Sequence, residues 1–174
     1  DKPFMVQYFN WLKGLLTGNM GVSYISGNNV FETFISKLPN TLLLTLTSML
    51  LTIIISIPCG IISAVNKNKF IDYIIRIFTF IGNSMPNFFV SLILLLIFAV
   101  KLSWFPVIDT GGGLKSVVLP TATLAIAMSA KYTRQVRAAV LEELGKEYVV
   151  GAMARGVRKN VIVYKSVLKA AMLT

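Results

Sequence analysis

NTLLLTLTSMLLTIIISIPCGIISAV, residues 40–65, decides the fold class. It carries no charged residue, and the uncharged run extends from Leu38 to Asn66. About 20 apolar residues cross a bilayer as a helix, so this run is long enough to span with tilt. A second run, IFTFIGNSMPNFFVSLILLLIFAV from Ile77 to Val100, is also uncharged. A third, SVVLPTATLAIAMSA, lies between Lys115 and Lys131. It spans if Leu114 joins it and the stem of Lys131 snorkels toward the interface. The expectation is an all-α membrane protein, a helical bundle with spans at about 40–65, 77–100 and 114–133.

Charge placement orients those spans. Charged residues make up 14% of the chain, against about 25% in soluble domains, and the net charge is +10. Twelve of the 17 cations fall in 67–76 and 131–174. The excess of Lys and Arg marks the cytoplasmic side. This predicts 67–76 and 131–174 inside, 1–37 and 101–115 outside, in a multi-pass plasma-membrane protein. Tyr73, Trp104 and Phe105 fall near the expected interfaces. There is no His, and Cys59 is the only cysteine. An intrachain disulfide and a His/Cys metal site are therefore excluded, and no cofactor is expected.

The first 37 residues read as an extracytoplasmic segment with a short amphipathic helix around Val6 to Leu16. Within the spans, Pro58 and Pro86 should each kink a helix. Ser56, Gly60 and Ala64 form a small-xxx-small seam for close helix packing. Asn83, Ser84, Pro86 and Asn87 place polar groups at membrane depth. There they either line a solute path or bond to a neighbouring helix. DTGGGLKS, residues 109–116, lacks the GK[ST] ending of a phosphate-binding loop. No catalytic constellation is present, so no enzyme is expected.

Beyond the third run, Val136, Val140, Leu144 and Tyr148 repeat every four residues and predict one apolar helical stripe. Glu142 is placed to pair with Lys146 at i,i+4. Gly145 ends or bends that helix. EYVVGAMARG, residues 147–156, follows, with Gly156 suited to a left-handed position after a helix end. VRKNVIVYKSVLKAAML then predicts a second amphipathic helix with Val161, Lys165, Leu168 and Met172 on one face. A helical bend rich in small residues at the membrane surface is a docking shape, and Ala152 and Ala154 let a partner come close.

EYVVGAMARG followed by VRKNVIVYKSVLKAA resembles the cytoplasmic loop of importer-type ABC permeases. It is most similar to the B-type subunit of dipeptide, oligopeptide and nickel systems. Glu147, Tyr148, Val149, Ala152, Ala154 and Gly156 fit that loop, with Arg155 in place of the usual Lys. Leu168 and Ala170 or Ala171 fit its later part. WLKGLLTGNMGVSY, LPNTL, IPCGIISA and GNSMPNFF agree as well. Thr174 departs from the family, which usually has Pro there. The resemblance implies a partial type-1 permease domain at 38–174, a fragment of a six-helix subunit, with a coupling loop at about 142–170. It implies that Glu147, Tyr148, Ala152, Ala154, Arg155 and Gly156 engage an ATP-hydrolysing subunit. The implied partners are a second permease subunit, two ATP-binding subunits, an extracytoplasmic solute-binding protein and membrane lipid, with no nucleic acid. Peptides are the expected solute, nickel or a metal chelate the alternative. Two readings of another class are a non-transporting scaffold whose basic tail binds anionic lipid, and a membrane-tethered nucleic-acid binder.

Overall fold

The computed structural model describes residues 2–108 and 114–171. The glycine-rich stretch 109–113, Met172 and Thr174 lie outside the described residues. Among those described there is no strand, only an isolated bridge between Val22 and Asn29. The chain divides into two compact units, Asp1–Thr45 and Leu46–Thr174.

In the first unit, α1 (Phe4–Leu16) is the expected short helix and buries none of its side chains. It ends at Gly18, φ +81°. The Gly18 N–H donates to Leu15 O at 3.2 Å and the Asn19 N–H to Gly14 O at 2.8 Å, a Schellman pair that satisfies two end carbonyls. Helix α2 (Val30–Val65) starts from Asn29, whose Oδ1 accepts the Phe31 N–H at 2.9 Å. That is an N-cap, satisfying an amide the helix cannot.

The second unit holds the rest of α2, then α3 (Phe70–Ser84), α4 (Asn87–Leu94) with a π-helical continuation Leu95–Lys101, and the 31-residue α5 (Leu114–Leu144). Short elements follow: α6 (Glu147–Ala154), α7 (Lys159–Ile162), a π-helical segment Val163–Val167 and α8 (Leu168–Ala171). Helix α5 is central, packed on α3 and α4 and joined to α2 by a 2.9 Å hydroxyl pair, Thr47–Thr121.

The packing is inside-out relative to a water-soluble domain. Ser48, Thr52, Ser56, Thr79, Thr121, Thr123, Ser129 and Thr133 are buried. Phe78, Phe80 and Phe88 are about two-thirds exposed, at 70%, 68% and 67%. Lipid gives no hydrophobic drive between helices, so close backbone approach and interhelical hydrogen bonds take over. The predicted seam behaves this way: Ser56, Gly60 and Ala64 are all buried. A Cβ on Gly60 would lie 2.6 Å from Val136 Cβ and 3.0 Å from Thr133 O. Only glycine permits that approach of α2 to α5.

Several expectations need correction. Pro86 does more than kink its run and breaks it outright, while α2 stays helical through Pro58. Met85 and Pro86 are both extended, and α3 meets α4 at 103°. A residue before proline is pushed out of the α region. Asn83, Ser84 and Asn87 beside Pro86 are exposed. Among the described residues only α2 is long and apolar enough to cross a membrane alone. Helices α3 and α4 with its continuation meet that standard as one bent pair, and α5 does not, its uncharged run being closed in by Lys115 and Lys131. In the last helix the buried face is Ile162, Val163 and Val167, not the one through Val161 and Lys165, which are exposed. The π-helical turn at Val163–Val167 changes the register that a 3.6-residue period assumes.

Replacing Gly60 by Ala should destabilise the protein by about 1–3 kcal/mol through overpacking. Gly151 has open space around its Cβ position, and Gly151→Ala in α6 should be neutral or mildly stabilising. Thermal unfolding in detergent measures both.

Candidate functional site

Helix α6 is held by its own ends. Its first turn begins after Lys146, which is extended. Arg155 closes it, and Gly156 takes φ +78°. The Gly156 N–H donates to Met153 O at 2.9 Å and the Val157 N–H to Ala152 O at 3.2 Å. This is the same Schellman pair that ends α1, and it places Gly156 in the left-handed role its position predicts. Nothing lies within 4 Å of a Cβ there, so backbone conformation alone demands glycine.

One face of α6 is seated. Val149 is fully buried in a cluster with Ile61 and Ala64 of α2, Val140 of α5, and Ile162, Val163 and Val167. Val136, Leu144 and Ala152 pack around it. The stripe through Val136, Val140 and Leu144 is thus real. It does not continue to Tyr148, which is 41% exposed; Val149 takes the inward place after the break at 145–146.

The other face is open. Glu147, Ala154, Arg155 and Gly156 are exposed, with Val150 at 61%. So of the six sequence-derived loop residues, Ala152 lies toward the core, Tyr148 at the edge, and four on the surface.

A polar cluster braces the start of α6. Glu143 is buried. It pairs with Lys146 and accepts the Tyr148 hydroxyl at 3.0 Å. Glu143, and not Glu142, is therefore the hydrogen-bonded partner of Lys146. The Lys146 ammonium holds the Glu143 carboxyl below its ordinary value, and burial partly opposes it. The bracing is thus present above the ordinary glutamate range and is lost as pH falls below it. Burial first, and the Glu143 bond second, push the Tyr148 phenol up.

Sequence reasoning missed the strongest polar contact. Asp72 has no exposed side-chain surface. Arg137 reaches it in a two-point bridge, Nε to Oδ1 at 2.8 Å and Nη2 to Oδ2 at 2.9 Å. The Ser63 hydroxyl donates to Oδ1 at 2.5 Å and the Asn68 N–H to Oδ2 at 3.0 Å. One carboxylate thus ties α2, α3 and α5 beside the cluster that seats α6. The available signal was that Asp72 is the one carboxylate among the cations of 67–76.

At the other candidate site, Asn83, Ser84, Pro86 and Asn87 gather at the α3–α4 break and are exposed. The Ser84 hydroxyl donates back to Phe80 O at 2.8 Å.

Residues 56–174 match the family described as binding-protein-dependent transport system inner membrane component. The chain belongs to this family. Such a component is part of a transport permease and not an enzyme, and its place is the plasma membrane. The family resemblance read from residues 147–171 is borne out. An oligopeptide transport system permease protein of Bacillus subtilis is 38% identical, over 99% of this chain and 58% of its own length. A putative peptide permease protein of Brucella suis is 36% identical, over 99% of this chain and 57% of its own. A metal-staphylopine import system permease protein of Staphylococcus aureus is 36% identical, over 99% and 55%. The chain thus spans somewhat over half the length of these curated relatives. The family match begins at Ser56 and takes in the Asp72–Arg137 bridge and the seat of α6.

Breaking that bridge from one side should be costly. Arg137→Met leaves a buried carboxylate unpaired and should lose about 3–5 kcal/mol of stability. Pairing it with Asp72→Leu should recover most of the loss, because two apolar groups replace the two charges. Unfolding of the protein in detergent distinguishes these outcomes.

Proposed function

We propose that this chain is the membrane-spanning part of a permease subunit in an ATP-driven peptide importer. Its loop 147–156 receives the motion of an ATP-hydrolysing partner. The observation that carries this reading is the two-faced α6. It is seated through Val149 on the ends of α2 and α5 and open on the side that carries Ala154, Arg155 and Gly156. A partner pressing the open face would push on packed side chains, which transmit strain rather than absorb it. Ala154 and Gly156 are the proposed close contacts, with Glu147 and Arg155 at the rim. Tyr148 and Ala152 hold the helix in its seat.

The orientation proposed is the one from charge bias, with 67–76 and 131–174 cytoplasmic. The complete subunit would work with a second permease, two ATP-binding subunits and an extracytoplasmic solute-binding protein. Asn83, Ser84, Pro86 and Asn87 are the proposed path-lining element, because a helix break with exposed polar groups at membrane depth is tolerated where it meets protein or water. Peptide as solute follows the relatives from Bacillus and Brucella. A metal chelate is the second reading, favoured by the staphylopine relative at similar identity.

Ala154→Trp and Gly156→Val in the full-length subunit test the coupling face. The first puts bulk on the open side. The second forces a β-branched residue into a left-handed conformation, at about 1–3 kcal/mol. Each should lower retention of the ATP-hydrolysing subunit at least about tenfold, as loss of a central contact does, and abolish solute-stimulated hydrolysis at normal membrane abundance. Full retention and full transport in both variants would rule the loop out as the coupling site.

A further inference from the structure

A cavity of about 470 Å³ opens between α3 and α5, lined by Arg76, Arg134 and Arg137 with Tyr73, Ile77 and Phe80. No carboxylate lines it. Arg137 uses Nε and Nη2 on Asp72, and a guanidinium has five N–H donors, so it keeps donors to spare. Arg76 and Arg134 are exposed and have no ion pair among the described residues. Arg76 lies 5.7 Å over the Tyr73 ring, a contact that leaves its charge uncompensated.

The cavity sits where two independent charge boundaries meet. On α3 the uncharged run starts at Ile77, directly after Arg76; on α5 the third run has ended at Lys131, one turn before Arg134. Ile77 and Phe80 are 58% and 68% exposed and continue the cavity wall toward the apolar side. The site therefore combines guanidinium groups, suited to phosphate oxygens, with bare apolar surface at Ile77 and Phe80. An inorganic anion would use only the first half.

We propose that this cavity holds an anionic phospholipid, with its phosphate among Arg76, Arg134 and Arg137 and its acyl chains along Ile77 and Phe80. The inference needs only the membrane setting of the family and not the coupling role of α6.

Native mass spectrometry of the assembled transporter in detergent tests it, with phosphatidylglycerol, phosphatidylcholine and inorganic phosphate titrated separately. Phosphatidylglycerol should be retained over phosphatidylcholine, and inorganic phosphate should not displace it. Removing two cations with Arg76→Gln/Arg134→Gln should weaken its retention about thirtyfold, at about fivefold per arginine. Lys159→Gln/Lys169→Gln, with the same charge change away from the cavity, should weaken it much less. Equal loss in the two double variants would reduce the effect to general charge and overturn the site. Equal retention of phosphatidylcholine, or displacement by inorganic phosphate, would overturn the lipid assignment. Both comparisons on the unmodified protein decide the proposal even if a variant fails to assemble.

Discussion

Asp72 accepts four hydrogen bonds from three directions and has no contact with solvent. A carboxylate so placed is tolerable only while all its partners stay put, because each lost bond leaves charge in a dry site. That requirement fixes the turn at 66–69, where Asn68 takes φ 62°. It fixes the end of α2 through Ser63 and the rotation of α5 through Arg137. With those positions set, Ile61, Ala64 and Val140 converge, and Val149 has a seat. The polar bridge and the apolar cluster are neighbours in sequence on both long helices: Ser63 with Ala64, Arg137 with Val136. The charge bridge supplies register, and the cluster supplies burial.

The same logic explains the small, hydroxyl-rich interior higher in the bundle. Large apolar side chains have nothing to gain by leaving lipid for another helix. Glycine, alanine, serine and threonine let the backbones approach instead, as at Gly60 against Val136 and Gly82, whose Cβ position lies 3.0 Å from Ala130 Cβ. Phe78 and Phe80 then face outward without penalty. A soluble reading of this chain would have to explain why Phe78, Phe80 and Phe88 are about two-thirds exposed while serines and threonines are buried.

Features that depend on neighbours in sequence were legible. The amphipathic α1, the uncharged runs, the small-residue seam and the left-handed Gly156 all follow from local spacing. Features that depend on distant partners were not. Asp72 and Arg137 are 65 residues apart, and no local spacing relates them. The π-helical turn at Val163–Val167 misled the periodicity by rotating the buried face. At the candidate site, the loop was recognisable from its residues, but its division into a seated and an open face required the position of Val149.

Motion at the open face of α6 matters only if it travels to the membrane helices. The proposed coupling requires the seat on α2 and α5 to carry α6 and those helix ends as one piece. Spin labels at exposed Lys67 and Val150, in a Cys59→Ser protein assembled with its partners, measure the distance across that seat. A distance unchanged between nucleotide-free and ATP-bound states is expected. A clear shift or a broadened distribution on ATP binding would mean that α6 moves independently of the helices it rests on, contradicting rigid transmission through Val149.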